Sequence, residues 1–550
     1  MSAIETQIPT QTHNLPKETS GVVPKRATAA SKHYKDFPNF QGFVDQPEQV
    51  EPVNLEVSGT VPAWVSGVLY RTGPGRFNVK QKGGRAIHFK HWFDGLALNH
   101  RFEIQSGQVS YRSRYSVDSL VEKIENGHVG VTFGPKDPCE SIFSKFTSMF
   151  TGSTVGDKSS ASSSNIGVSL SPNLPGFSGV SHRQRNPKDK MLFAKTDVNV
   201  VQELDPVTLE PLAICTYTDV LSSAKGTLSA AHPQIDHDTG ELFNYTLDFG
   251  PRPAYHVFAM SDESKRELAT IHDTPCYIHS MCLTDKYVVL MLWQADYTYN
   301  GLGIVTHGSV LEGMKRKWNP DRKTKFYVID RKHGGVKSVY ESEHAFFCFH
   351  TANAYDDGDD VYLNLCQHET NDVLFEFFID RMRSDSTDSL KKTNPMAFLP
   401  SLVQFKLEGI DKNQSSHKVA KVVKSFGREN NLELPVWNTK FDRTAQRFVY
   451  GIHTKDESSF VEYVIKIDIS TGEIKTFGID KCTPGEPVFV PRPGAIAEDD
   501  GVLLVVCLDG EQGKSLMAVV DAQTMRLIAK AELGPGKVVP FGFHGFFSKV

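Results

Sequence analysis

Residues 463–477 read YVIKIDISTGEIKTF, which is a short apolar strand ending in Asp468, a turn containing Gly472, and a second strand. Aspartate and glycine favour turn conformations, whereas β-branched and aromatic residues favour strands. The stretch therefore predicts a β-hairpin. The same order of elements recurs in residues 201–217, 326–341 and 517–533.

A second repeated pattern is an acidic turn that leads directly into an apolar strand. It occurs at residues 238–247, 285–292, 357–366 and 499–508. Many short antiparallel strands in recurrent units, without sustained helical periodicity, are typical of a β-propeller. Such an all-β fold allows a chain of 550 residues to form one domain, which we place at residues 36–550. The irregular spacing gives no number of blades, and a large β-sandwich or two β domains are the alternatives.

The composition excludes several classes of protein. The net charge is -5, and no basic stripe interleaved with aromatic residues points to nucleic acid. Residues 1–35 are rich in Thr, Ser, Pro and Lys and predict a disordered segment with neither a signal peptide nor a membrane-spanning helix. The eight cysteines are widely spread, which indicates reduced thiols and a cytoplasmic protein.

Four of the 20 histidines lie in aromatic or apolar contexts. A neutral imidazole in such surroundings needs partners for its ring nitrogens, because burying an unpaired polar group costs roughly 1 to 3 kcal/mol. A shared metal ion would satisfy all four, although the ordinary interpretation of each one alone is a hydrogen-bonded core residue. The four are His232 in AHPQ, His279 in YIHSM, His350 in FFCFHTAN and His544 in FGFHGFF.

The segment 138–150, PCESIFSKFTSMF, places apolar side chains on one face of a predicted helix. A face of this kind either packs on the core or inserts into the surface of a membrane. For the second interpretation the contacting residues are Phe143, Phe146, Met149 and Phe150.

These segments together resemble the carotenoid cleavage oxygenase family from about Asn54 to Val550. Residues 67–75, GVLYRTGPG, and 91–95, HWFDG, are similar to the opening strand and the WFDG motif of that family. The segment Asp137-Pro138-Cys139 resembles the corresponding segment in the animal branch of the family, which includes β-carotene oxygenases and a retinoid isomerohydrolase. The resemblance implies a seven-bladed propeller with iron on its axis and a dome of loops and helices over a hydrophobic substrate tunnel.

By position, the resemblance assigns Fe(II) to His232, His279, His350 and His544. Three carboxylates are implied to orient these ligands. Glu433 and Glu486 match two of them, whereas the third position has Asp197 where the family normally has glutamate. An imidazole that donates its second N–H to a carboxylate is held in one tautomer and binds metal better. The shorter Asp197 therefore raises the question of whether its carboxylate reaches a histidine.

The resemblance implies an Fe(II)-dependent dioxygenase that uses O2 to cleave a C=C bond of a carotenoid or apocarotenoid into aldehyde or ketone products. No amino acid beyond the metal centre is assigned a catalytic role. Alternatives are cleavage of stilbenoid phenols, isomerohydrolysis of a retinyl ester, and a non-catalytic propeller platform for protein interactions. The residues expected to line the substrate tunnel are Trp92, Tyr115, Phe347, Phe349 and Phe543.

A lipophilic polyene is found in membranes, so we expect peripheral contact with a bilayer. The segment 138–150 would then place the tunnel entrance on the bilayer, with Cys139 as an acylation site by resemblance.

Overall fold

The computed structural model describes residues 37–135, 158–179, 190–386, 399–411, 418–455 and 460–549. The segment 1–35 and the residues predicted to contact a bilayer, Phe143, Phe146, Met149 and Phe150, lie outside these ranges, as does Cys139. The predictions made for them, and the bounds of the predicted domain, stay predictions.

Strands form most of the regular structure. In chain order they begin with β1 (Val53–Asn54), β2 (Glu56–Gly59), β3 (Gly67–Arg76), β4 (Asn78–Lys80), β5 (Ala86–His88), β6 (Leu96–Gln105), β7 (Gln108–Tyr115), β8 (Ser169–Pro172), β9 (Leu192–Lys195), β10 (Val201–Leu204), β11 (Pro211–Cys215), β12 (Leu228–Ser229), β13 (Gln234–Asp236), β14 (Glu241–Asp248), β15 (Ala254–Met260) and β16 (Lys265–Ile271). They continue with β17 (Cys282–Leu283), β18 (Tyr287–Leu292), β19 (Lys325–Asp330), β20 (Val336–Ser342), β21 (Phe347–Asp357), β22 (Asp360–His368), β23 (Ser401–Leu407), β24 (Lys418–Ser425), β25 (Glu433–Val436), β26 (Phe448–His453), β27 (Tyr463–Asp468), β28 (Ile474–Phe477), β29 (Cys482–Pro491), β30 (Gly501–Asp509), β31 (Lys514–Asp521), β32 (Arg526–Glu532) and β33 (Gly545–Lys549).

Helices are short and lie between the strands. The α-helices are α1 (Asp118–Glu125), α2 (Tyr217–Val220), α3 (Leu302–His307) and α4 (Ile379–Met382). The 3-10 helices are Phe40–Phe43, Trp92–Asp94, Thr298–Gly301, Asn371–Phe375, Arg428–Asn430 and Thr439–Phe441. None of the described helices has the length and apolar composition needed to cross a membrane.

The four predicted hairpins are confirmed. The opening stretch forms β27 and β28, which pair antiparallel with Ile467 opposite Ile474. Gly472 occupies the turn with φ +79°, a left-handed conformation that glycine adopts without steric penalty. The other three form the antiparallel pairs β10–β11, β19–β20 and β31–β32.

The sheets are arranged like the blades of a propeller, but their number differs from the expectation. Among the described residues, five sheets have four or five strands: β1-β7-β6-β3-β33, β11-β10-β9-β8, β12 to β16, β25 to β28, and β2-β32-β31-β30-β29. The structure therefore shows five separate blades, and the prediction of seven was wrong in this respect. The reason is the parallel pairing of Tyr340–Ser342 in β20 with Lys418–Ala420 in β24. This pairing joins two antiparallel units, β17 to β20 and β21 to β24, into one sheet of eight strands.

Strands from opposite ends of the sequence close the ring of sheets. The C-terminal β33 pairs with β3, with Gly67 opposite Lys549. In return, the N-terminal β2 pairs with β32, with Glu56 opposite Glu532. Because exposed sheet edges are open to aggregation, closing the ring through paired edges protects the fold.

The core lies between the faces of neighbouring sheets. In β30 every residue is buried, and alternate side chains enter different apolar clusters. Val502 and Leu504 join one cluster, whereas Leu503 and Val505 join the other. Since successive side chains of a strand point to opposite faces, the continuous apolar run VLLVV is explained by burial on both faces.

Candidate metal centre

The predicted site residues come from six sheets and lie on or beside their strands. His279 directly precedes the β17–β18 unit, and His350 lies in β21 of the same eight-stranded sheet. The others are distributed singly: Asp197 follows β9, His232 lies between β12 and β13, Glu433 begins β25, Glu486 lies in β29, and His544 precedes β33. The ring of sheets thus brings together residues that are far apart in the sequence.

Register shifts in two strand pairs determine the direction of two of these side chains. The pairing of β21 with β22 shifts register between Cys348 and Thr351, on either side of His350. The pairing of β29 with β30 shifts between Pro484 and Pro487, where Glu486 lies. Bulges of this kind redirect side chains out of the regular alternation of a strand.

The four histidines form one cluster. Their candidate ligand nitrogens all lie within 4.8 Å of one another. Ring centroids of His232 and His544 are 4.2 Å apart, and the Nε2 atoms of His350 and His544 are separated by 3.2 Å. No other such group of three or more metal-binding side chains occurs in the described part of the chain.

Three of the imidazoles are held by the three predicted carboxylates. Each contact joins Nδ1 to a carboxylate oxygen, so that Nδ1–H donates and Nε2 keeps its lone pair for the cluster. The distances are 2.8 Å from His279 to Asp197 Oδ1, 2.5 Å from His350 to Glu433 Oε2 and 2.7 Å from His544 to Glu486 Oε1. The aspartate therefore reaches its histidine despite its shorter side chain.

The electrostatics of the site favour the neutral, metal-binding form of two of the imidazoles. Burial, reinforced by neighbouring imidazoles, holds the pKa of His232 and of His544 well below the ordinary value, so both are neutral at physiological pH. Burial raises the pKa of Glu433, but the imidazoles of His350 and His368 outweigh it and bring the pKa well below the usual range. Burial raises the pKa of Glu486 to about 7, against the opposing charge of Arg71.

The hydrogen bonding of one buried nitrogen shows whether a metal ion fits this cluster. Among the described residues, Nε2 of His232 has no hydrogen-bond partner. A buried polar atom left unpaired costs about 1 to 3 kcal/mol. A metal ion shared with His279, His350 and His544 would pair this nitrogen, and neutral imidazole is the form that binds metal. The residues present therefore fit a four-histidine metal site.

The cluster faces an apolar cavity of about 370 Å³. His279, His350 and His544 form part of its wall, and aromatic rings form much of the rest. Helices contribute as well, through Ile304 of α3 and Met382 of α4. The aromatic lining residues are Trp92, Phe93, Phe133, Tyr277, Tyr297, Phe349, Phe377, Phe460 and Phe543.

The structure separates the five residues expected to line a tunnel into two groups. Trp92, Phe349 and Phe543 line the cavity, but within the described chain the lining does not include Phe347 or Tyr115. Phe347 is fully buried and lies behind Phe349, with 4.8 Å between ring centroids. The hydroxyl of Tyr115 donates instead to the backbone carbonyls of Gln46 and Gly75.

Sequence reasoning missed the second partner of each carboxylate. His368 contacts Glu433 Oε1 through Nε2 at 3.2 Å. Arg71 Nη1 lies 3.5 Å from Glu486 Oε2, and Tyr277 donates to Asp197 Oδ2 at 2.9 Å. Only Tyr277 carried a local signal, because residues two apart on an extended chain share a face and Tyr277 precedes His279 by two.

The backbone beside Glu433 is strained. Leu434 has φ +49°, a left-handed conformation that leucine rarely adopts, and it lines the cavity. Its N–H donates to Glu433 Oε2 at 2.7 Å. Strain of this kind persists where surrounding structure imposes it, and it is concentrated at functional sites.

Comparison with known proteins identifies relatives over nearly the whole chain. The family described as "Retinal pigment epithelial membrane protein" matches residues 43–549. A carotenoid dioxygenase of Neurospora crassa is 31% identical over 96% of this chain and 97% of its own. A torulene dioxygenase of Gibberella fujikuroi is 33% identical over 97% of both chains. Among solved structures, a Synechocystis apocarotenoid oxygenase mutant gives a TM-score of 0.71 at 20% identity, covering 93% of this chain and 98% of that one.

The match extends from before β1 to the end of β33 and includes all seven residues of the candidate metal centre. The chain therefore belongs to the retinal pigment epithelial membrane protein family, the family of the carotenoid cleavage oxygenases.

Proposed function

We propose that this protein is a non-haem Fe(II) dioxygenase that cleaves one C=C bond of a carotenoid or apocarotenoid. The reaction consumes one O2 and yields two carbonyl fragments, each carrying one of the oxygen atoms. The observation that supports this most strongly is the four-histidine cluster facing an apolar, aromatic-lined cavity. The relatives named carotenoid dioxygenase and torulene dioxygenase support the same substrate class.

The residues that would hold the metal are His232, His279, His350 and His544. Bound iron would supply the activation of O2. A metal-dependent activity is also supported by the Synechocystis structure described as cobalt-substituted. Four neutral imidazoles would leave the positive charge of the ion unreduced. The carboxylates of Asp197, Glu433 and Glu486 would not contact the ion themselves, because each is hydrogen-bonded to the outer nitrogen of an imidazole.

The protein's own groups position the reactants and exclude water. Each carboxylate fixes one imidazole in a single tautomer, which keeps Nε2 directed into the cluster. The rings of Phe349 and Phe543 line the same cavity as His279, His350 and His544, where they would pack against a long conjugated chain and leave little space for water. In the described lining we assign no acid or base to the reaction, since a polyene carries no proton that must be removed for its cleavage.

The polyene reaches the cavity from a membrane in this proposal. The apolar segment with Phe143, Phe146, Met149 and Phe150 would contact the bilayer beside the entrance. A substrate that passes directly from lipid to the apolar cavity avoids exposure to water.

The test is to incubate the Fe(II)-loaded protein in detergent under ¹⁸O2 with β-carotene, torulene, an apocarotenal and resveratrol. Mass spectrometry of the products should show one ¹⁸O in each carbonyl fragment of a polyene. His350→Ala should abolish these products. The matched control is His333→Ala, because His333 is exposed in the β19–β20 turn and away from the cluster.

Other outcomes would replace the proposal. Cleavage of resveratrol alone would assign a stilbenoid substrate. A retinyl ester is added as a fifth substrate in a parallel incubation, and its conversion without uptake of ¹⁸O would assign an isomerohydrolase. If none of these compounds reacts in a metal-dependent manner, the protein is a non-catalytic propeller platform.

A further inference from the structure

The three carboxylates of the metal centre share one arrangement. Each uses one oxygen to accept the Nδ1–H of a histidine and has a further polar partner at its second oxygen. For Glu433 this partner is His368, and for Glu486 it is the backbone N–H of Gly545, at 2.8 Å, together with Arg71. A carboxylate fixed at both oxygens cannot rotate, so its histidine is held as well.

Asp197 obtains its second contact in a different way. Its Oδ2 accepts the hydroxyl of Tyr277 at 2.9 Å, and the same hydroxyl oxygen lies 3.0 Å from Nδ1 of His279. With the 2.8 Å contact from Asp197 Oδ1 to His279 Nδ1, the three side chains form a closed triangle. An ionised carboxylate can only accept hydrogen bonds, so the tyrosine hydroxyl is the donor to Asp197.

Tyr277 is itself rigidly held. Its backbone N–H donates to the carbonyl of Ala295 at 3.0 Å, and its own carbonyl accepts Nε1–H of Trp293 at 2.8 Å. The ring packs edge-on against Phe133 with 5.8 Å between centroids, and the residue is 2% exposed. The position of the hydroxyl is therefore fixed before any metal binds.

We propose that Tyr277 is a positioning residue. Its hydroxyl holds the second oxygen of the short Asp197 carboxylate, and the two side chains together orient His279 toward the metal. This inference rests on the metal centre of the proposed function but not on its substrate. Tyr277 compensates for the methylene that Asp197 lacks relative to glutamate. It follows that the two residues are energetically coupled.

The coupling predicts how Tyr277→Phe and Asp197→Glu affect the position of His279, separately and together. Tyr277→Phe removes only the hydroxyl, so Asp197 Oδ2 loses the donor that holds it, and the carboxylate is held at Oδ1 alone. Asp197→Glu adds a methylene in a space already bounded by the hydroxyl at 2.9 Å, so the longer carboxylate displaces His279, Tyr277 or both. In the double variant the hydroxyl is gone, and glutamate has room to reach His279 by itself.

The experiment measures binding of Co(II), which also reports ligand geometry through its visible absorption bands. The full-length protein is stripped of metal with a chelator and titrated at one pH. Tyr277→Phe and Asp197→Glu should each raise the Kd for Co(II) about 10-fold and change the absorption bands. The increase in Kd of the double variant should be smaller than the product of the increases caused by the two single substitutions. Tyr450→Phe is the matched control, because Tyr450 is also buried but its hydroxyl donates to the carbonyl of Ala522.

Two results would overturn the inference. One is a Tyr277→Phe protein with the Kd and spectrum of the wild type, and the other is a double variant whose effects simply multiply. If Tyr277→Phe does not fold, as judged by thermal melting, Asp197→Glu alone decides: an unchanged Kd refutes the coupling, and a 10-fold rise supports it. No polyene is present in these titrations, so the outcome is independent of whether carotenoids are cleaved.

Discussion

The Oε2 atom of Glu433 lies 2.5 Å from Nδ1 of His350, although 83 residues separate the two in the sequence. The Oε1 atom of the same carboxylate contacts His368. A carboxylate between two imidazoles fixes both rings, and its negative charge would make His350 a stronger donor to a metal ion.

Replacing Glu433 with glutamine is therefore expected to weaken metal binding. The amide keeps the size of the side chain but removes its charge, so the Kd for Co(II) should rise about 10 to 100-fold. Titration followed by visible absorption measures this value. Glu429→Gln is the control, because Glu429 lies four residues away and is exposed. Equal affinities for the wild type and Glu433→Gln would contradict the role of Glu433.

The cavity wall can be distinguished from the layer behind it by two matched substitutions. Phe349→Leu and Phe347→Leu each remove ring atoms from a buried site and should each lower the free energy of unfolding by about 1 to 2 kcal/mol. Phe349 lines the cavity and its ring lies 5.9 Å from that of His279, so only Phe349→Leu should also slow polyene cleavage, by roughly 10-fold. Denaturant melts and product formation give the two readouts. A similar loss of activity in both variants would show that the cavity extends to Phe347.

Lys195 predicts a pH dependence of stability. Its ammonium group is buried, with Ser171 as a hydrogen-bond partner, and burial lowers its pKa from 10.5 to about 7. Between these values the unfolded chain binds a proton that the folded protein does not, so this lysine makes the folded state more stable as the pH rises from 7 toward 10.5. At pH 7 and below, the residue is destabilising relative to an apolar side chain.

Lys195→Met should thus be more stable than the wild type at pH 7, by roughly 1 to 3 kcal/mol, and the difference should shrink toward pH 10. Denaturant unfolding at a series of pH values measures it. Lys190→Met, which changes an exposed lysine of the same segment, should show no such trend. A constant difference across the pH range would mean that Lys195 does not titrate there.

Contact with a bilayer stays a prediction from the sequence. Changing Phe143, Phe146 and Phe150 to serine should release the protein from liposomes in a flotation assay, since an apolar face supplies the binding energy. The control is Ile496→Ser, which alters an apolar residue that is 95% exposed elsewhere on the surface. Unchanged flotation of the triple variant would exclude this segment as the membrane contact.

The local structure of this protein could be predicted from its sequence. Hairpins such as β27–β28 depend on a turn and on residues close along the chain, so their pattern is visible in one stretch of letters. The four histidines of the candidate site were predicted from their apolar contexts and from the resemblance to the family, and the three carboxylates from the resemblance alone. The contact of His368 with Glu433 was not foreseen.

The tertiary structure decided how these pieces meet. Intervals of 47, 71 and 194 residues separate the four histidines. No local pattern predicts that six sheets bring their site residues together in one cluster. The parallel pairing of β20 with β24 and the position of Phe347 behind Phe349 are equally invisible in the sequence. The physical reason is that a strand or turn is set by neighbours along the chain, whereas hydrogen bonds and packing between sheets depend on distances that only the closed ring fixes.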